Sequence, residues 1–150
     1  MQSDNGQSLA GRTAVITGGS RGIGLAIAKK LATSGAELMI LGSNPKNLAD
    51  AKDSINGTVA SHAADLRTLA GCEGAFDAYR TLYNRCDIFV HSAGATKGGV
   101  FPAQADDDFI DGFALKFHAG VRLSRLFWPM LKAAQGTAIM IIGGASRTPD

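Results

Sequence analysis

The chain has 150 residues, 45% of them hydrophobic, and its 15 basic and 13 acidic side chains leave a formal net charge of +2. That length fits one domain with a real core. The dispersed charges lack the basic stripe of a nucleic-acid partner, and no apolar run approaches the ~20 residues of a membrane-spanning helix. Cys72 and Cys86 are too few for a disulfide framework and form no C-x-x-C pair, and His62, His91 and His118 stand apart from any ligand cluster. No metal site is expected, and a reducing cytoplasm is the expected compartment.

Residues 1–10 are polar, carry no apolar signal core, and read as a disordered lead-in to a domain over 11–150. A short apolar run at 13–17 reads as a strand. Gly18, Gly19, Gly22 and Gly24 then crowd a turn, and Ile23, Ile27 and Leu31 follow at helical spacing over 21–33. Strand, glycine turn and helix together receive a pyrophosphate. Gly18 takes the tight turn, Gly22 lets backbone N–H groups approach phosphate oxygens, and Gly24 lets the helix pack close to its strand. The helix N-terminus adds roughly half a positive charge. Gly35 suits a left-handed cap at the end of that helix.

Residues 37–41 read as a second strand buried on both faces. Gly42-Ser43-Asn44-Pro45 is a turn, with Pro45 opening a helix to about residue 55 whose apolar side is Leu48, Ala51 and Ile55. A weaker strand at 58–63 leads through Ala64-Asp65-Leu66 to a helix at 68–82, which Gly71 and Gly74 weaken. Cys86, a small residue suited to burial, opens a fourth strand at 86–91, and Ser92-Ala93-Gly94 ends it in a turn of small residues. A loop with Gly98, Gly99 and Pro102 follows. The longest helical signal runs from 106 to 134, with Asp106 and Asp107 complementing the dipole at its start. Phe113, Phe117, Val121, Ser124, Trp128 and Leu131 recur at 3-to-4 spacing, and Phe109, Ile110, Leu123, Leu126 and Phe127 broaden the apolar sector. So wide a sector is expected to face both the sheet and a partner subunit. Pro129 should kink or tighten the last turns, Gly136 should break the helix, and 137–142 reads as a fifth strand stopped by Gly143-Gly144.

The βαβαβαβαβ alternation gives a doubly wound parallel sheet with right-handed crossovers. A ligand then belongs outside the carboxyl ends of the strands, where the turns at Gly18, Gly42, Asp65, Ser92 and Gly143 gather.

The octet T-G-G-S-R-G-I-G, Thr17 to Gly24, resembles the T-G-x-x-x-G-x-G fingerprint of the short-chain dehydrogenase/reductase family, and the likeness extends over about 11–149. It implies an α/β, Rossmann-type sheet with five strands present, incomplete at the C-terminus, and an NAD(P)-dependent oxidoreductase that moves hydride between nicotinamide and an alcohol or carbonyl substrate. The implied cofactor residues are Gly18, Ser20, Arg21, Gly22, Ile23 and Gly24 in the turn, with Ser43 and Asn44 after the second strand. Asp65 would take the adenine amino group beside the Leu66 backbone, or cap the following helix, and Ser92, Ala93 and Gly94 would lie along the ribose. His91 stands where the family has Asn and reads as a structural or adenosine-side histidine. NADP is expected over NAD, because Gly42 and Ser43 replace the usual ribose-binding acid, Arg21 supplies a cation and Lys46 could assist.

Two departures concern catalysis. Lys116 falls where the family places a catalytic Asn, and Gly144 where it places Ser, with Ser146 two residues on; Lys116 and Ser146 are the catalytic candidates. The family's Y-x-x-x-K would lie beyond Asp150, and Tyr79 and Tyr83 are too early to be that pair, so an N-terminal portion is expected. A homodimer or homotetramer is implied. The alternative is a degenerate dinucleotide-binding or regulatory protein without turnover.

Overall fold

All five residues of Thr13–Thr17 (β1) are buried, as they must be in a strand covered on both faces. The computed structural model describes residues 8–94 and 98–143. Four more strands, β2 (Glu37–Gly42), β3 (Val59–Ala63), β4 (Ile88–His91) and β5 (Thr137–Met140), join β1 in a parallel sheet of order β3-β2-β1-β4-β5. The order reverses direction at β1, so the crevice between the carboxyl ends of β1 and β4 is the topological switch point.

Alternation along the strands sorts the core into two layers. Ala14, Ile16, Leu38 and Ile40 pack with Ala28 and Ala32 of α1 (Gly22–Thr33) and Leu48 and Ala51 of α2 (Pro45–Ser54). Val15, Met39, Leu41 and Phe89 pack on the other face, against Cys72, Ala75 and Tyr79 of α3 (Leu69–Leu82) and against α5 (Ala119–Ala134), which contributes Leu123, Phe127 and Leu131. Phe127 stacks on Phe89 with centroids 5.7 Å apart and meets Phe76 and Tyr79 edge-on at 5.0 Å.

Three expectations need correction. Residues 8–10 are tied down: the Leu9 N–H donates to the Ser34 carbonyl at 2.8 Å, and Leu9 packs against the first of these layers. The signal over 106–134 is interrupted, as α4 (Asp106–Phe113) passes through a single π-turn (Ala114–His118) into α5. The left-handed residue that ends α5 is Gln135, φ +51, while the Gly136 N–H closes the turn onto the Leu131 carbonyl at 2.8 Å. Pro129 sits inside α5 without ending it.

At the amino edge of the sheet, away from the switch point, the buried Asp87 carboxylate ties β1 to β4. It accepts from Arg12 Nη1 at 2.9 Å, the Thr13 N–H at 3.0 Å and Arg85 Nη2 at 2.6 Å. Burial pushes the Asp87 carboxyl up, but the bonds from Arg85, Thr13 and Arg12 outweigh it and bring it down to about 2. Tyr79 and Tyr83 also face away from the switch point, donating to the carbonyls of Arg85 at 2.7 Å and Leu38 at 3.2 Å.

Candidate cofactor site

An open cleft of about 880 Å³ lies at the carboxyl edge of the sheet. Gly18, Ser20, Arg21, Gly22 and Ile23 line it from the first turn, Gly42 and Ser43 from the end of β2, and Asp65, Leu66 and Arg67 from the loop after β3. Ser92, Ala93, Gly94 and Gly143 follow β4 and β5, and Asp108, Asp111, Leu115 and Lys116 come from α4 and the π-turn. Every strand-end turn expected at this edge contributes to it.

Gly22 has φ +56, and a Cβ there would meet nothing within 4 Å, so it would stand in the open cleft. Gly24 does not line the cleft. A Cβ on it would approach the Gly18 carbonyl carbon to 2.8 Å, so its role is to seat α1 on the turn itself. The first amides of α1 have no side-chain cap. Both neighbouring helices do: Asn44 Oδ1 accepts the Asn47 N–H at 3.0 Å, and Thr68 Oγ1 accepts the Gly71 N–H at 2.9 Å. The α1 amides therefore keep their partial positive charge for a ligand. Uncapped amides beside a glycine that leaves the cleft open in front of them fit the diphosphate of a dinucleotide.

Asn44 is taken up in capping α2 and does not line the cleft. Arg21, extended and exposed, lines both the cleft and an adjoining cavity of about 340 Å³ with Ser20 and Asn47. Lys46 turns to Asp50, 2.8 Å from Nζ to Oδ2, and lines neither space. Asp65 is not the cap of α3, which is Thr68; its carboxylate is held instead by Arg67, whose hydrogen bond keeps it below the usual carboxylate range.

His91 is buried and bonded at both ring nitrogens. Thr17 Oγ1 accepts the N–H groups of Ser92 at 3.1 Å and Ala93 at 3.0 Å, so its own proton goes to His91 Nδ1, 2.9 Å away. Nε2–H then donates to the carbonyls of Leu115 at 3.2 Å and Lys116 at 3.1 Å. One neutral imidazole thus links the end of β1, the turn at 92–94 and the π-turn, and burial holds it below its ordinary value near 6.5 while the two carbonyls oppose that. The imidazole lies close on Gly120, where a Cβ would come within 3.1 Å of Cδ2. The structural reading of His91 accounts for every one of its bonds.

Lys116 is exposed and lines the cleft, its stem lying over Gly94, where a Cβ would come within 2.7 Å of Cε. Ser146 and Gly144 lie outside the described residues. Sequence reasoning gave no part to Thr17, Arg67, Asp111 or Leu115. The Thr before the glycines and the Arg two places after Asp65 were the available signals. Among the described residues no cluster of His, Cys, Asp or Glu could hold a metal ion, and no helix is long and apolar enough to cross a membrane.

A family model described as short chain dehydrogenase matches residues 12–149. The uncharacterized oxidoreductase DltE of Bacillus subtilis (strain 168) is 31% identical over 144 residues, 94% of this chain and 57% of its own. L-Sorbose reductase from Gluconobacter frateurii, solved with NADPH and L-sorbose, superposes with a TM-score of 0.87 at 30% identity over 96% of this chain and 57% of that one. A 3-oxoacyl (acyl-carrier-protein) reductase from Agrobacterium tumefaciens C58 with NADP bound gives 0.87 at 28% identity, over 100% and 59%. The chain spans a little over half the length of these relatives. With its parallel sheet, its glycine turn and a family match over nearly its whole length, the chain belongs to the short-chain dehydrogenase family.

Proposed function

We propose that the cleft binds NADP(H) and that the protein is an oxidoreductase acting between an alcohol and a carbonyl. The observation that carries this reading is the set of uncapped α1 amides opening, at Gly22, into the cleft. When bound, the nicotinamide group would give or take hydride. The chain's own residues hold and orient: amides of 20–24 at the diphosphate, Asp65 and Leu66 at the adenine, and Ser92, Ala93 and Gly94 along the ribose. Arg21 and Ser43 stand where a 2′-phosphate would lie, and no carboxylate among the cleft residues at the end of β2 opposes it. Solved relatives that hold NADP or NADPH support the same preference.

Titration by nicotinamide fluorescence tests the preference. NADPH should bind tighter than NADH, and Arg21→Ala should weaken NADPH about tenfold, the worth of one charge-assisted bond, while leaving NADH nearly unchanged. Equal or tighter binding of NADH would contradict it.

A second reading, binding without turnover, is supported by Lys116 at the place where the resemblance implies Asn. Absence of NADPH oxidation with any of a panel of aldehydes and ketones, despite tight binding, would favour it; turnover would favour the first. Lys116 and Ser146 remain the catalytic candidates of the first reading. Phe113, Phe117 and Trp128, exposed on the outer side of α4, the π-turn and α5, support assembly as a homodimer or homotetramer. The free thiols of Cys72 and Cys86 support a cytoplasmic setting.

A further inference from the structure

Arg67 holds the Asp65 carboxylate in a fork. Its backbone N–H and Nε both donate to Oδ1, at 3.1 and 2.9 Å, and Nη2 donates to Oδ2 at 2.9 Å. Two other elements hold Arg67: its guanidinium Nη1 reaches Asp111 Oδ2 on α4 at 3.0 Å, and its backbone carbonyl accepts from Arg122 Nη1 on α5 at 3.1 Å. Asp65, Arg67 and Asp111 all line the cleft. Half-exposed ion pairs of this kind add little to stability, so the network's main consequence is geometric.

A carboxylate oxygen accepts two hydrogen bonds. Oδ1 already has two from Arg67, and Oδ2 has one. We infer that Arg67 is a positioning residue for base selection: it fills all but one acceptor of Asp65 and fixes that one in the cleft, where it takes a single N–H from a base carrying an exocyclic amino group. A base with an oxo group at the same place would set one lone pair against another. This inference rests on the reading of the cleft as a dinucleotide site. It adds that discrimination between 6-aminopurine and 6-oxopurine belongs to the Arg67 fork as well as to Asp65.

The test compares NADPH with its reduced hypoxanthine analogue by nicotinamide fluorescence, in the wild type, Arg67→Ala and Arg67→Lys, with circular dichroism confirming that each variant is folded. The wild type should prefer NADPH by about tenfold, the scale of one hydrogen bond to a charged group. Both variants should bring the ratio of dissociation constants to within about threefold of unity, because lysine restores the charge without the fork. A merely structural part for Arg67 would weaken both nucleotides alike and leave the ratio intact, and that result overturns the inference while sparing the dinucleotide site. A wild type that binds neither nucleotide, or binds both equally, overturns the base-site reading and this inference together.

Discussion

Thr17 and His91 set the cleft's inner wall through a chain of bonds with a fixed proton order. Protonating His91 would remove the acceptor that Thr17 needs, and burial disfavours the charged ring more than the Leu115 and Lys116 carbonyls favour it. The unfolded chain binds that proton more readily, so stability should fall as pH drops below about 6.5, the ordinary histidine value. Asp87 acts at lower pH. Its carboxyl is down at about 2 in the folded chain, so its contribution is complete above the ordinary carboxylate range and is lost between about 4 and 2. Denaturant unfolding measured from pH 8 to 3 should show both declines. His91→Ala should cost about 1–3 kcal/mol by leaving the Leu115 and Lys116 carbonyls and the Thr17 hydroxyl short of partners, and it should flatten the decline between pH 7 and 5. A slope unchanged by that substitution would show that His91 is not the titrating group. At this scale the sequence was legible where one residue type has one physical use. Gly22 at φ +56 facing open space is such a case. The His91 chain was not legible, because its partners lie 74 positions back at Thr17 and 24 positions on at Leu115.

Caps and spacing carried the elements. Pro45 after Asn44, and Thr68 ahead of 69–82, mark helix starts that the side chains confirm by bonding the third amide on. The second strand was legible as a run of apolar residues buried on both faces, though it extends one residue further, to Gly42. The π-turn was hidden for a physical reason. Its residues, A-L-K-F-H, keep ordinary helical composition, and what widens the turn is His91 drawing on the carbonyls of Leu115 and Lys116 from outside the helix. The fourth strand begins two residues later and the fifth ends two residues earlier than the sequence suggests, although Asp87 and Ile141 still bond backbone to backbone with neighbouring strands. Asp87 is an acid inside an apolar run, buried with two arginines.

The whole-molecule arrangement followed from the βα alternation, since parallel strands with right-handed crossovers leave few topologies. What alternation could not assign was which side of the long helical stretch meets the sheet. The buried stripe is Leu123, Phe127 and Leu131, whereas Phe113, Phe117 and Trp128 are 64, 59 and 62% exposed. Covering a large apolar side chain contributes about 1.5–3 kcal/mol, so a second copy of the chain seated on this stripe would gain substantially. Sedimentation should therefore give a mass above one chain, and Phe113→Glu with Trp128→Glu should reduce it to one. A wild type that sediments as a single chain would contradict assembly through this stripe. The claim on which the functional reading turns is narrower: the amides of residues 20–24 receive a diphosphate, with adenosine reaching toward Asp65. A crystal structure of the protein with NADPH measures this directly. The expected result places diphosphate oxygens about 3 Å from those amides with the base beside Asp65 and Leu66, and a nucleotide bound anywhere else would contradict it.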